Sequence, residues 1–339
     1  MEKNKKDDGI KRKKTDLKWI DWLFIILGLA SIVGAAVTLS GRANFVYMCL
    51  AVIACAFILL YRKINKGKKI VIKSIALFLG TMAAIYWSIA FFVCSYPVSD
   101  YGKINVAGEK FLQETKGFEK KSISFLDGKL EGWLYRQSEE QEAPLLIFFC
   151  GAGECSADSM SSFYKDGSLM DYLSDYDFLC MDYPGYGNSD GMVYEAAMKN
   201  MALSIYDEAV TYEGIDETRI TVAGYSIGTG PATYLAKERN IASLILIAPY
   251  DKIYHTGDAD RSDLYQLISG YNVNPYNFAK KIDEPVLLLT SDADHTCVYK
   301  NAKRVADRLK NCEMIKLSGV RHENMLCDES YTAISEFLK

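Results

Sequence analysis

The chain has 339 residues, half of them hydrophobic, which is enough for a large core and one or two domains. Its charge is unevenly distributed: residues 1–97 contain 15 Lys and Arg against 5 Asp and Glu, whereas residues 98–339 contain 24 against 38. An acidic part of this size would repel phosphates, which disfavours nucleic acid as a partner. The contrast predicts two parts that work in different environments.

The front of the chain is predicted to be a membrane anchor. Residues 1–18 form a basic tail, and residues 19–97 contain three uncharged apolar stretches at 22–40, 45–61 and 75–96. A hydrocarbon core about 30 Å thick needs roughly 20 apolar residues at helical rise, so each stretch can span it, the second barely. Buried core helices are the alternative, but they would show a polar face and these stretches show none. We therefore expect three transmembrane helices.

Basic residues predict the orientation of this anchor. The tail and the loop at 62–69 are rich in Lys and Arg, whereas the loop between the first two stretches has only Arg42. The positive-inside rule then predicts a multi-pass cell-membrane protein with a cytoplasmic N-terminus and an extracytoplasmic C-terminal domain. Six of the nine cysteines lie in that domain, where an oxidising compartment favours disulfides. Cys150 and Cys180 fall in apolar runs, so we expect them to be buried as small hydrophobic residues.

A polar linker at 98–114 leads to one predicted α/β domain at 115–339. It opens with a β-hairpin turning at Asp127-Gly128. Short apolar runs then alternate with helices; the runs are 145–149, 178–181, 220–223, 244–248, 286–289 and 314–317, and the helices begin near Ser156, Tyr194, Ile227, Val298 and Glu323. Continuous apolar runs indicate strands covered on both faces, and the alternation predicts a mostly parallel sheet with helices on both faces.

One turn in this domain has a chemical signature. Gly224-Tyr225-Ser226-Ile227-Gly228 follows a β-branched run and precedes a predicted helix at about 230–239. Strand, G-x-S-x-G and helix together describe a nucleophile elbow, in which the glycines relieve crowding around the serine. Ser226 is the predicted nucleophile. Because an ordinary strand-to-helix turn can have the same five residues, the rest of the chain must supply a base and an acid.

The base would come from one of three histidines, because a serine hydroxyl needs a general base oriented by a carboxylate. After a nucleophile elbow the acid and then the histidine follow along the chain, each at the end of a strand. His322 fits this order, since it lies just beyond the last predicted strand. His255 lies in a loop-rich stretch and His295 adjoins an acidic turn. A surface loop histidine is the alternative for His322.

The acid should follow the penultimate predicted strand, where Asp292 and Asp294 both lie. Asp292 has an alternative role, since it can hold the turn through an Asx hydrogen bond. The oxyanion hole needs backbone N–H donors, and we expect them from Ile227 and from Ala152 or Gly153 in the loop after the run 145–149. An ordinary glycine-rich strand end would have the same sequence as that loop. The dinucleotide fingerprint and the usual zinc spacings are absent, so no cofactor and no metal are predicted.

Four segments resemble the α/β-hydrolase superfamily, in particular its membrane-anchored α/β-hydrolase domain-containing esterases and depalmitoylase-like serine hydrolases. They are D-Y-P-G-Y-G-N-S-D-G at 182–191, similar to the family's D-Y-R-G-Y-G-x-S-x-G; the elbow; the strand with Asp294; and Gly319-x-x-His322. The resemblance covers about 115–339 and implies the α/β-hydrolase fold, with Asp294 rather than Asp292 as the acid. It also implies that 182–191 shapes a loop beside the site. The family usually has His-Gly where this chain has Cys150-Gly151, and commonly also where it has Thr290-Ser291.

The predicted function is a membrane-anchored serine hydrolase that cleaves carboxylic esters or thioesters through an acyl-enzyme on Ser226, with Asp294 and His322 completing the triad. A small cap at about 250–283 suits small or medium acyl substrates, lipid-derived ones included. Its tyrosines can equally be core packing. A serine peptidase of the same fold is one alternative, although it would need a pocket for a free N-terminus. A catalytically silent binding module is another, but it would have no reason to retain all three residues.

Overall fold

The computed structural model describes residues 102–137, 142–165, 167–256 and 273–339. The three predicted membrane spans and the centre of the predicted cap, 257–272, lie outside this description. Among the residues that are described, no helix is both long and apolar enough to cross a bilayer.

The described part of the chain is built on one eight-stranded sheet. Its strands are β1 (Phe118–Phe125), β2 (Gly128–Tyr135), β3 (Ala143–Phe149), β4 (Asp177–Met181), β5 (Ile215–Tyr225), β6 (Ser243–Ile247), β7 (Val286–Ser291) and β8 (Cys312–Leu317). Their spatial order is β1-β2-β4-β3-β5-β6-β7-β8. The β1–β2 and β2–β4 pairs are antiparallel and all the others are parallel. This confirms the predicted antiparallel hairpin leading into a mostly parallel sheet.

The described residues contain eight α-helices, one before β1 and the other seven after β3. They are α1 (Val106–Glu114), α2 (Ser156–Phe163), α3 (Leu169–Tyr172), α4 (Glu195–Ala209), α5 (Thr229–Glu238), α6 (Pro275–Phe278), α7 (Tyr299–Ala306) and α8 (Asp328–Phe337). The last helix was predicted to begin near Glu323, and this was wrong by five residues. A 3-10 turn over His322–Asn324 and an extended Cys327 come first. Asp328 and Glu329 then occupy the first turn of α8, where carboxylates favour a helix N-terminus.

Alternate residues of each central strand pack into two separate hydrophobic cores. In β3, Leu145 and Ile147 join the core beneath α4, α5 and α7, whereas Leu146 and Phe148 join the core beneath α1, α2, α3 and α8. Every residue of β3, β4, β6 and β7 is buried, as expected for strands covered on both faces. The helices therefore cover both faces of the sheet, and the carboxyl ends of the parallel strands remain available for a site.

Candidate functional site

A strained turn presents Ser226 at the carboxyl edge of the sheet. β5 ends at Tyr225, and Ser226 has a φ of +54°, a left-handed conformation that costs energy for a residue with a Cβ. A Cβ on Gly224 would lie 2.4 Å from the carbonyl oxygen of Gly228, and one on Gly228 would lie 2.2 Å from that of Phe149. Only glycines fit these two positions without movement of the backbone, which is the crowding expected of a nucleophile elbow.

The three predicted triad residues meet at this edge. The Oγ of Ser226 lies 2.9 Å from Nε2 of His322, and Nδ1 of His322 lies 2.8 Å from Oδ2 of Asp294. The three residues follow β5, β8 and β7, and parallel strands bring the ends of these elements to the same side. With Nδ1–H donating to the carboxylate, Nε2 is left as the acceptor for the serine hydroxyl.

The carboxylate of Asp294 is fully shielded from solvent and uses both of its oxygens. While Oδ2 faces His322, Oδ1 accepts hydrogen bonds from the backbone N–H groups of Thr296 at 2.8 Å and Cys297 at 2.7 Å. These bonds fix the rotation of the carboxylate, so that its second oxygen points at the histidine. The Asx hydrogen bond suggested for Asp292 is thus made by Asp294.

Asp292 lies on the surface instead. Its Oδ1 accepts a hydrogen bond from the N–H of Gly319 at 2.8 Å, and its Oδ2 lies 3.5 Å from Nζ of Lys316. The Gly319 N–H, followed by the charge of Lys316, lowers the pKa of this carboxyl below its ordinary value. Asp292 therefore ties the end of β7 to the loop that carries His322, without touching the histidine itself.

The other two histidines are placed differently. Nδ1 of His255 lies 2.9 Å and 3.0 Å from the two carboxylate oxygens of Asp251, which is buried and also pairs with Arg304 at 2.5 Å. His295 is exposed. Of the three histidines, His322 is the one whose ring contacts the Ser226 hydroxyl.

Tyr225 supports the histidine and was missed by the sequence analysis. Its hydroxyl donates a 2.7 Å hydrogen bond to the backbone carbonyl of His322, and the two rings stack with centroids 5.5 Å apart at 26°. Burial, aided by the negative charges of Glu154 and Asp294, raises the pKa of the Tyr225 hydroxyl, which therefore remains a proton donor at neutral pH. The sequence feature that could have pointed to Tyr225 is its position directly before Ser226 in the G-x-S-x-G pattern.

The loop at 150–154, called the oxyanion loop below, follows β3 and touches the elbow. A Cβ on Gly228 would lie 2.7 Å from the Cys150 carbonyl oxygen as well, so the loop and the turn are in direct contact. Ala152 is half-buried and Gly153 is exposed. The N–H of Ile227 lies in the first turn of a helix, where no intrahelical acceptor exists. The three predicted donors thus come from two segments that abut.

Cys150 begins the oxyanion loop directly after β3. Its Sγ lies 3.2 Å from Sγ of Cys180, and both residues are buried and free. Burial raises the pKa of the Cys180 thiol well above its ordinary value. These observations confirm the prediction that both cysteines are packed as small hydrophobic residues. No group of side chains in the described ranges could hold a metal ion.

Comparisons with known proteins agree with this geometry. A model of the alpha/beta hydrolase fold matches residues 144–268. Protein ABHD12B of Homo sapiens is 27% identical over 219 residues, which cover 54% of this chain and 57% of that protein. Lysophosphatidylserine lipase ABHD12 of Danio rerio is 26% identical over 193 residues, which cover 51% and 49%. The chain therefore spans about half the length of these curated relatives.

A solved structure gives the same fold. The esterase Pf2001 of Pyrococcus furiosus superposes with a TM-score of 0.53 at 20% identity, covering 68% of this chain and 91% of that one. At this level of identity the likeness concerns the fold alone. Together with the sheet order, the elbow and the family match, it shows that the chain has the α/β-hydrolase fold, and these findings support a hydrolase of that superfamily.

Proposed function

We propose that the chain is a serine hydrolase that cleaves carboxylic ester or thioester bonds through an acyl-enzyme on Ser226. One observation carries this proposal: two consecutive hydrogen bonds, 2.9 Å and 2.8 Å long, link Ser226 to His322 and His322 to Asp294. A serine held at a φ of +54° beside such a pair has the activation that a hydroxyl nucleophile requires. The lipase and esterase named among the similar proteins favour ester chemistry.

In the proposed reaction, Ser226 Oγ attacks the carbonyl carbon of the substrate while Nε2 of His322 takes the serine proton. Asp294 stabilises the imidazolium that forms. The carbonyl oxygen becomes an oxyanion and is received by the N–H of Ile227 and by that of Ala152 or Gly153. His322 then gives its proton to the leaving alcohol or thiol, and the acyl-enzyme forms. A water molecule, activated by the same histidine, then attacks the acyl-enzyme, which releases the carboxylic acid product and restores the serine hydroxyl.

A membrane anchor at residues 19–97 belongs to the same proposal. Its support is the sequence: three uncharged stretches of 17 to 22 residues, separated by loops of unequal positive charge. The N-terminus would be cytoplasmic and the hydrolase domain extracytoplasmic. Reporter fusions after Gly102 test this orientation, and a reporter that is active only in the cytoplasm would overturn it.

The proposed substrates are small or medium acyl esters, amphiphilic lipid-derived esters among them. One similar protein is named a lysophosphatidylserine lipase, which favours single-chain lipids within this class. A series of p-nitrophenyl esters of increasing acyl length, run beside a lysophospholipid and an aminoacyl amide, measures the preference. Cleavage of the amide in preference to every ester would support a peptidase instead.

Labelling by a fluorophosphonate probe tests the catalytic proposal directly. The probe reacts with an activated serine, so the full-length protein should be labelled and the Ser226→Ala variant should not. Ser161→Ala is the matched control, because its hydroxyl only donates to the carbonyl of Asp158 in α2. Equal labelling of wild type and Ser226→Ala, or no labelling of either, would refute the assignment.

A further inference from the structure

Two tyrosines from the segment 182–191 hold carbonyl groups of the oxyanion loop. The hydroxyl of Tyr183 donates to the carbonyl oxygen of Cys150 at 2.5 Å, and that of Tyr186 donates to the carbonyl oxygen of Ala152 at 3.0 Å. Both tyrosines are almost completely buried. Their rings contact each other edge to face, with centroids 5.3 Å apart, so they act on the loop as one packed unit.

Glu154 closes the loop on itself. Its backbone N–H donates to the carbonyl oxygen of Gly151 at 3.4 Å, and its carboxylate accepts a hydrogen bond from Oγ of Ser159 at 3.0 Å. Three successive carbonyl groups, those of residues 150, 151 and 152, therefore each have a donor. Their peptide planes cannot rotate without breaking one of these bonds.

Fixed carbonyls also fix the N–H groups on the other side of each peptide. In a trans peptide the C=O and the following N–H point in opposite directions. The hydrogen bond to the Ala152 carbonyl thus sets the direction of the Gly153 N–H, and the bond to the Gly151 carbonyl sets that of the Ala152 N–H. Within the described ranges, neither N–H donates to a protein acceptor. Oriented donors without a protein partner are what an oxyanion hole requires, because its effect depends on preorganisation.

The ring of Tyr186 is in turn held from behind by the backbone at Gly102. A Cβ on Gly102 would lie 2.0 Å from the Cδ2 of that ring, and Gly102 has a φ of +76°, so glycine is required twice over. The N–H of Gly187 also donates to the Gly102 carbonyl at 2.7 Å. Gly102, the first described residue, is therefore packed directly on the tyrosine whose hydroxyl donates to the Ala152 carbonyl.

We propose that Tyr186 is a positioning residue of the oxyanion hole, which orients the Ala152–Gly153 peptide through its hydroxyl and is itself set by the backbone at Gly102. This inference rests on the proposed function of Ser226. It assigns a role to the second tyrosine of the D-Y-P-G-Y-G stretch, and it makes the hole depend on how the chain enters the domain.

Tyr186→Phe in the full-length protein removes the hydroxyl and keeps the ring. Loss of a whole oxyanion donor lowers kcat about 10²- to 10³-fold, so loosening one that remains present should cost about tenfold. We expect kcat for p-nitrophenyl acetate to fall by about that factor with KM little changed. The affinity for a trifluoromethyl ketone, whose serine adduct places an oxyanion in the hole, should fall by the same factor. Tyr206→Phe is the matched control, since its hydroxyl donates to the Asn240 carbonyl at 2.6 Å, outside the site.

Gly102→Ala supplies a second, independent perturbation. It should lower kcat and ketone affinity together. The kcat of the Gly102→Ala/Tyr186→Phe double variant should be no lower than that of the less active single variant, because both changes act through the same hydroxyl. Additive losses, or wild-type kcat and ketone affinity in Tyr186→Phe, would overturn the inference. If Tyr186→Phe does not fold, the same two readouts on Gly102→Ala decide. Wild-type protein without Ser226-dependent hydrolysis would refute the proposed function instead.

Discussion

Two carboxylates that are two residues apart can be tested by the same chemical change. Oδ2 of Asp294 lies 2.8 Å from Nδ1 of His322, whereas Asp292 is exposed against Gly319 and Lys316. Asp294→Asn and Asp292→Asn both replace one carboxylate oxygen by an NH2 group. The proposed mechanism predicts that only the first change affects catalysis.

The expected size follows from the hydrogen bonds. Asparagine at 294 retains an oxygen for the N–H groups of Thr296 and Cys297, so the fold should persist. Its NH2 would face Nδ1 of His322 and favour the tautomer with the proton on Nε2, which cannot accept the proton of Ser226. In a Ser-His-Asp triad this change lowers kcat about 10⁴-fold, or about 5.4 kcal/mol at 1.36 kcal/mol per decade. Asp292→Asn weakens exposed contacts and should change kcat less than about twofold.

The assay is steady-state hydrolysis of a p-nitrophenyl ester by wild type and both variants, with thermal unfolding to verify folding. A four-decade loss in Asp292→Asn together with near-normal Asp294→Asn would reverse the assignment of the acid. Retention of activity by both folded variants would show that neither carboxylate orients the base.

Three further changes test other parts of the structure. Gly228→Ala keeps an allowed helical backbone but places a Cβ 2.2 Å from the Phe149 carbonyl oxygen, so urea unfolding should show a loss of about 3 kcal/mol; the small gain usual for alanine in a helix would contradict this contact. Tyr225→Phe keeps the ring against His322 but removes its hydrogen bond, so kcat should fall about tenfold at similar KM, and an unchanged kcat would deny the tyrosine a role. Burial raises the pKa of Glu154 above its ordinary value of 4.5. The folded wild type therefore holds this proton more tightly than the unfolded chain, and its stability falls as the pH rises from 4.5 through the raised pKa. The Tm of Glu154→Gln minus that of the wild type should therefore be larger at pH 8 than at pH 4, and a constant or falling difference would contradict the shift.

Strands covered on both faces were the easiest elements to predict. β3, β4, β6 and β7 lie within two residues of their apolar runs, because burial on both sides leaves little room for polar residues. β8 is less uniform, since it forms one edge of the sheet and only Leu317 is buried, while its other residues are exposed or half-buried. The largest difference is at β5, which begins at Ile215, five residues before the predicted run 220–223. Its first five residues are half-buried or exposed, so hydrophobicity alone could not mark that boundary.

At the site, too, residues with a local sequence pattern could be predicted and residues without one could not. Ser226, Asp294 and His322 have local signals, since each follows a strand within a recognisable short pattern. Tyr225 and Tyr186 act on backbone carbonyl groups 97 and 34 residues away, and a hydroxyl-to-carbonyl contact leaves no trace in either partner's identity. Such contacts could be recognised only once the sheet order had brought the segments together.

The position of β8 has a consequence for how the protein is made. Ser226 and His322 are 96 residues apart, and His322 follows the strand that is last in the chain and outermost in the sheet. A ribosome would therefore expose the nucleophile, its turn and the acid well before the base exists. Synthesis proceeds from the N-terminus, so the serine would acquire its reactivity only as the final segment docks. Reactivity of Ser226 would then indicate that β8 and the His322 loop have docked on the sheet. A chain truncated before 312 would lack the base, so its Ser226 would be unreactive even if the rest had folded.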